Sequence, residues 1–380
     1  MMKFKINRDH FSSGLQLVSS VVGSRKTMPI LQNVLIEARE GLIHLTTTNL
    51  DLGIKCSVKA EVTDEGSVTL PVKDLSRIVR ELADMEVQVE STETSKSTIT
   101  TRGSVFNIIG MDSKEFPPLP ELEDRKSTEI RRDELTQMLK SVSFAQSVNE
   151  ERYMLKGVFF QFEQEILSLV ATDGRRLAVA HKLMKSDESA QGEFILPSLT
   201  VNELEKLPKT GDKLSISFTD RQVAIELKVN ASDEDDQGYR NSVYLVSKVV
   251  EGKYPNYKQV IPKDDFKSAV VERELMQECV NRAALVSDER VTLRVKNKEM
   301  EISGQSLLGD ACESMPIDYE GEESTVSFNP KFLLDPLRAI QKDQITLEFR
   351  DDMSPGVFKV NPEEKDQPNI LCVVMPIRTD

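Results

Sequence analysis

Ile6-Asn7-Arg8-Asp9, Ile130-Arg131-Arg132-Asp133 and Val271-Glu272-Arg273-Glu274 decide the fold, because each is a short extended stretch that runs straight into apolar residues at helical spacing. Phe11, Leu15, Val18 and Val22 follow the first, Leu135, Met138, Leu139 and Val142 the second, and Met276, Cys279, Val280 and Ala283 the third. Apolar residues at i, i+3 or i+4, and i+7 mark one buried helix face, and Asp9 and Asp133 are placed to cap the helix start. Three strand-then-helix copies in one chain are an internal repeat, which governs how every other segment is read.

Two further signals recur around these copies. Val68-Thr69-Leu70-Pro71, Phe194-Ile195-Leu196-Pro197 and Val326-Ser327-Phe328-Asn329-Pro330 each close a strand on a proline that opens another helix. Proline is tolerated there because the first helical N–H groups have no partner anyway. In the third copy Pro336 is expected to delay or kink the helix. Glu115-Phe116-Pro117-Pro118-Leu119-Pro120 and Gly252-Lys253-Tyr254-Pro255-Asn256-Tyr257 are proline-bearing strand exits, and Val374-Met375-Pro376 ends the third repeat. The repeats therefore run over 1–124, 125–263 and 264–380. Alternating runs between the helices, such as Leu42-Ile43-His44-Leu45-Thr46-Thr47 and Val223-Ala224-Ile225-Glu226-Leu227, read as antiparallel strands. The expected fold is α+β: three tandem domains, each a doubled strand-helix-strands half, giving six short helices backed by sheet.

The 380 residues are 39% hydrophobic and 29% charged, a globular composition, and no run approaches the roughly 18 apolar residues of a membrane span. Met1 to Arg8 does not read as a secretory signal, so the cytoplasm is the expected compartment. Cys56, Cys279, Cys312 and Cys372 are scattered without a C-x-x-C pair, which suits neither a disulfide framework nor a zinc site. Only three histidines occur, His10, His44 and His181, and none has metal-ligand spacing. No dinucleotide, Walker or nucleophile-elbow motif is present. The acidic run Asp233-Glu234-Asp235-Asp236 reads as a solvated hairpin loop, because Tyr244 stands where an EF-hand needs its glutamate. Asp173, between Thr172 and Gly174-Arg175-Arg176, reads as turn chemistry rather than as a catalytic acid. The sequence therefore offers no enzyme, metal or cofactor site.

With 63 acidic and 49 basic residues the net charge is −14, which taken alone argues against nucleic acid. The charge is unevenly spread. Segments 8–26, 72–84, 131–148, 198–210, 272–286 and 330–342, the six helices with their approaches, hold 16 basic and 12 acidic residues, or +4. The remainder holds 33 basic and 51 acidic residues, or −18. A net-basic helix row suits phosphate contact without base reading, with Arg25, Lys26, Lys73, Arg77, Arg80, Lys140 and Arg338 as candidates. Solvated helix faces carry mixed charge too, so a peptide-binding repeat adaptor that never meets DNA stays open on charge alone.

Five ordered stretches carry a resemblance that spans the chain. They are Thr27-Met28-Pro29-Ile30-Leu31-Gln32-Asn33, Arg152-Tyr153-Met154-Leu155-Lys156-Gly157, Val170-Ala171-Thr172-Asp173-Gly174-Arg175-Arg176-Leu177-Ala178, Tyr254-Pro255-Asn256-Tyr257 and Val373-Val374-Met375-Pro376-Ile377-Arg378. With the repeat, they make the chain resemble the bacterial beta sliding clamps, the processivity subunits of DNA polymerase III. The resemblance implies a head-to-tail homodimer closed into a ring, with helices lining a hole threaded by double-stranded DNA and sheets outside. It implies DNA-facing positions at Arg25, Lys73, Asn149, Tyr153 and Met154, where Asn149 and Met154 depart from the usual glutamine and aromatic residue.

For partner peptides, the resemblance implies a groove at Leu155, Thr172, Gly174, Arg175, Arg176, Leu177, Pro255, Val260, Met353, Pro355, Val373, Val374, Met375, Pro376 and Ile377. Gln259 replaces a common arginine there, and Arg175 a common histidine. The implied partners are the DNA polymerase III catalytic subunit, the clamp loader, and other replication and repair proteins carrying clamp-binding motifs. Ring closure is expected between Phe106 and Ile108 of one subunit and Leu285 and Val286 of the next.

Overall fold

The computed structural model describes residues 1–23, 28–149, 151–184, 190–209, 211–229, 238–262, 266–360 and 368–378. Arg25, Lys26, the acidic run Asp233 to Asp236, and the terminal Thr379-Asp380 lie outside the described residues. Among the described residues no helix is long and apolar enough to cross a membrane.

Six α-helices stand within one residue of the expected starts: α1 (Arg8–Ser19), α2 (Val72–Glu81), α3 (Arg132–Val142), α4 (Ser198–Glu205), α5 (Arg273–Ala284) and α6 (Pro330–Ala339). Two local expectations change. The α1 cap is Asn7, whose Oδ1 accepts from the N–H groups of Asp9 at 2.8 Å and His10 at 3.2 Å. Asp9 is already inside the first turn, where its own N–H is one of those needing a partner. Pro336 does not delay α6, which starts at Pro330 behind an Asn329 cap and runs through to Ala339. Its ring is buried, and that apolar burial offsets the lost helical hydrogen bond.

The chain divides into two compact units, Met1–Asp133 with Asn202–Val249, and Glu134–Val201 with Val250–Asp380. The division cuts the 125–263 segment, so its strands are shared out between the units.

In the first unit, an antiparallel five-stranded sheet has the order β5 (Glu61–Asp64), β1 (Met2–Asn7), β7 (Glu86–Ser91), β8 (Lys96–Thr100), β9 (Val105–Ile109). An eight-stranded sheet has the order β6 (Gly66–Pro71), β2 (Asn33–Arg39), β3 (Leu42–Thr48), β4 (Leu52–Lys59), β17 (Tyr239–Lys248), β16 (Gln222–Lys228), β15 (Lys213–Phe218), β10 (Lys126–Arg131). Helix α1 buries Phe11, Leu15 and Val18. It lies so close on the sheet that a Cβ at Gly14 would stand 2.9 Å from Leu45 Cδ1 and Val58 Cγ2.

In the second unit, an eight-stranded sheet has the order β14 (Gly192–Pro197), β11 (Gly157–Glu163), β12 (Ile166–Thr172), β13 (Arg176–Leu183), β25 (Asn369–Val374), β24 (Gly356–Val360), β23 (Gln344–Phe349), β18 (Lys267–Glu272). A four-stranded sheet has the order β21 (Gly309–Pro316), β20 (Glu299–Ser306), β19 (Val291–Lys296), β22 (Ser324–Phe328). Helix α5 buries Met276, Cys279, Val280 and Ala283 and packs beside α6. The two eight-stranded sheets have the same plan: four strands of one repeat joined to four of the next, with a helix-leading strand at each outer edge.

Candidate functional site

The residues expected to form the groove all lie in the second unit, several of them at the turn between β12 and β13. Thr172 Oγ1 donates to the Arg176 carbonyl at 2.6 Å and accepts from Gly174 N at 3.1 Å. Asp173 Oδ1 accepts from the N–H groups of Arg175 at 2.9 Å and Arg176 at 3.0 Å, so this carboxylate holds a turn, as its position before glycine suggested. Gly174 has φ +86°, a conformation that favours glycine. The final strand closes on this turn. Leu177 pairs with Val373 and Arg176 with Val374, and Met375 N donates to the Arg175 carbonyl at 3.0 Å.

Below the turn, Leu155, Leu177 and Val373 share one buried cluster with Phe159, Val170, Val179, Tyr254 and Tyr257. Tyr254 stacks on Phe159 at 4.8 Å between ring centroids, and Tyr257 meets the same ring edge-on at 6.4 Å. Burial pushes the Tyr254 phenol well above its ordinary range and the Cys372 thiol, on β25, up to about 12. Pro255 is exposed between the two tyrosine anchors, Pro355 is half-buried beside Gly356, and Gly356 pairs with Val374. Val260, Met353 and Met375 are each about half exposed, at 55%, 54% and 47%. Pro376 and Ile377 are half-buried, and Ile377 N donates to the Ser327 carbonyl at 2.8 Å, which fixes the tail on β22. Leu155, Leu177 and Val373 thus belong to a buried aromatic cluster, while Val260, Met353 and Met375 expose apolar side chains.

Arg176 is 8% exposed and every side of its guanidinium is occupied. Nε donates to Asp173 at 3.1 Å, one terminal nitrogen to Asp335 and the other to the Phe144 carbonyl at 2.7 Å. The rings of Phe332 and Phe144 lie 4.7 and 5.4 Å away. Arg176 therefore braces the turn from beneath rather than meeting solvent. Asp335 and Phe332, on α6, were missed by sequence reading, and no local signal links them to a turn 159 positions away.

The positions expected to face DNA divide between the units. Lys73 is exposed at the start of α2, beside exposed Arg77 and Arg80, in the first unit. Asn149, Tyr153 and Met154 belong to the second. Asn149 is exposed and its Oδ1 accepts from Glu151 N at 2.9 Å, and Tyr153 is 54% exposed. Met154 packs against the groove's cluster, and a Cβ on Gly252 would stand 2.7 Å from its sulfur.

Of the expected seam, the strand that carries Phe106 and Ile108 is a sheet edge among the described residues, and Leu285 and Val286 follow the end of α5. Strand β9 pairs only with β8, and exposes Val105 at 63%, Phe106 at 37% and Ile109 at 78%, with Ile108 half-buried. Leu285 is 81% exposed and Val286 half-buried; in the same unit β21, not singled out by the sequence, is also a sheet edge, pairing among the described residues with β20. Among the described residues no cluster of metal-ligating side chains is found.

Family models of the DNA polymerase III beta subunit match in order: its N-terminal domain over residues 2–120, its central domain over 129–256 and its C-terminal domain over 258–378. The beta sliding clamp of Halalkalibacterium halodurans is 31% identical, with 100% of both chains covered. That of Chlamydia muridarum is 28% identical over 99% of both. The crystal structure of the Bacillus subtilis DNA polymerase sliding clamp is similar with a TM-score of 0.88 and 28% identity, covering 100% of both chains. A sliding clamp from Bartonella birtlesii, bound to griselimycin, is similar with a TM-score of 0.89 and 28% identity over 100% of both. Three consecutive domain matches and full-length relatives on the same fold show that this chain belongs to the DNA polymerase III beta subunit family, the beta sliding clamps.

Proposed function

We propose that two copies of this chain close head to tail into a ring around duplex DNA in the cytoplasm, slide on it without reading sequence, and tether partner proteins through the groove. Members of the family are non-catalytic processivity factors of DNA polymerase III. The partners proposed here are the polymerase's catalytic subunit, the clamp loader, and other replication and repair proteins with clamp-binding motifs. The repeats are taken as 1–124, 125–263 and 264–380.

The observation that carries this reading is the groove itself: a hydrogen-bonded turn at Thr172 to Arg176, a stacked Phe159–Tyr254 floor and exposed Met353 and Met375. The griselimycin-bound clamp from Bartonella birtlesii supports a ligand-binding role for this family. Enclosure rather than tight phosphate binding accounts for an overall charge of −14, since a modestly basic bore holds DNA without stopping it and an acidic exterior repels stray strands. Two open edges on one chain give a heterologous contact, which makes a closed ring when its rotation closes.

The test is fluorescence polarisation with a labelled clamp-binding-motif peptide. Deleting 375–380 spares strand β25, which a deletion from Val373 would break, and removes Met375, Pro376 and Ile377. It should weaken binding about thirtyfold or more, corresponding to the ~2 kcal/mol of a hot-spot anchor. Unchanged affinity would remove the groove assignment.

A further inference from the structure

The two eight-stranded sheets correspond residue by residue, so the groove has a counterpart in the first unit. Thr48, Asn49, Leu50 and Leu52 repeat the turn of Thr172, Asp173, Gly174 and Arg176. Thr48 Oγ1 donates to the Leu52 carbonyl at 3.0 Å, and Asn49 Oδ1 accepts from Asp51 N at 3.0 Å and Leu52 N at 2.8 Å. Leu50 has φ +75° against +86° at Gly174. Lys248 N donates to the Asp51 carbonyl at 2.7 Å, just as Met375 does to Arg175. Across the sheet, Leu35, Thr46, Lys55 and Tyr244 stand in the register that Phe159, Val170, Val179 and Leu371 hold below the groove.

What covers these two rows differs. In the second unit Tyr254 and Tyr257 fill the space over Phe159. In the first, the strap from Phe116 to Leu122 passes over the smaller Leu35 and Thr46 and the polar end of Lys55, leaving a cavity of ≈ 800 Å³. Leu119 of the strap sits directly on Gly53, the counterpart of Leu177, where any side chain would collide with it. The chain thus fills the groove-like position with its own leucine and keeps an open cavity beside it. That volume lies within the roughly 300–1,000 Å³ typical of ligand sites. Its charged lining is Glu37, Lys55, Glu121, Asp124 and Arg125, two basic against three acidic residues, or −1.

We infer that this cavity is a second peptide site, taking an extended segment of a partner protein that carries a leucine- or phenylalanine-sized anchor next to a lysine or arginine. The anchor enters between Leu35 and the prolines of the strap. The basic side chain meets the exposed carboxylates of Glu121 and Asp124. The comparison with the groove rests on the proposed function, so the test reads both sites separately.

Random twelve-residue peptides displayed on phage are selected against the protein lacking 375–380, which removes the groove's Met375, Pro376 and Ile377 and spares β25. Enriched peptides are then titrated on the wild type and on a Glu121→Lys/Asp124→Asn variant, which moves the lining from −1 to +2. Asparagine suits position 124, where φ is +47°. A Thr46→Phe variant narrows the cavity independently. The expected result is an apolar-basic consensus whose affinity falls at least tenfold on both variants, while a groove-directed peptide binds them as it binds the wild type. No consensus, or a consensus unaffected by either variant, overturns the inference. If the consensus peptides behave as expected and the groove-directed peptide fails on the wild type, the cavity stands and the groove reading falls.

Discussion

His44 on β3 shares a hydrogen bond with Ser57 on β4, Nδ1 to Oγ 2.8 Å, and Ser168 on β12 shares the same 2.8 Å bond with His181 on β13. The two pairs occupy the same register in the two sheets with the residue types exchanged. What the repeat keeps is a polar cross-strand bond, whichever strand supplies the imidazole. Burial is the main cause that lowers both histidine pKa values from 6.5; the cations Lys55 and Arg39 add to it at His44, and Lys258 at His181. A lowered histidine pKa means that the unfolded chain takes up the proton first as pH falls through 6.5, so stability declines below that value and is unaffected above it. Urea midpoints at pH 7.5 and 5.5 should therefore fall further for the wild type than for a His44→Gln/His181→Gln variant. Equal slopes would show that other groups carry the acid sensitivity.

Among elements, the unpaired outer edges of β9 and β21 matter most. An exposed strand edge presents a free row of N–H and C=O groups, and here each lies in a unit that also exposes large apolar side chains, Phe106 and Ile109 in one and Leu285 in the other. Phe106→Asp or Leu285→Asp should convert the dimer to monomer in sedimentation experiments without lowering the melting temperature, since both side chains face solvent in the single chain. A dimer of unchanged mass would discard this interface. These elements were legible in the sequence because their signals are local: proline closes β6 and β14, and helical spacing follows each. The Asn7 cap was misjudged as Asp9 because two adjacent polar residues both suit a cap and only the end of β1 separates them. The Arg176–Asp335 brace was invisible for the opposite reason, because its partners meet only through the pairing of β13 with β25 and the packing of α6 against that strand.

For the whole molecule, the split of charge into +4 on the helices and −18 elsewhere is softened by ion pairs such as Arg77 with Asp74 and Arg282 with Glu278 and Glu313. The basic character that remains is small, and a weak, screened attraction is what sliding needs. On closed circular DNA the loaded protein should persist, and linearising the circle should release it, because a ring leaves over a free end. Lys73→Gln should lower the salt dependence of loading by about one unit in log–log slope and leave dimerisation intact. Retention on linear DNA equal to that on circles would favour an open adaptor over a ring.

Strand β25 follows every other strand of its sheet along the chain, yet it lies inside that sheet, with β13 on one side and β24 on the other. While the chain is being synthesised, β13 presents a bare apolar edge through all the residues from 184 to 368, and only Asn369–Val374 covers it. The larger sheet of the second unit therefore cannot close before Asn369–Val374 has been made, whereas the first unit has every strand of its sheets once Lys248 has emerged. A chain halted between those two points would carry one unit with all its strands and one with an open apolar edge, the kind of surface that chaperones cover.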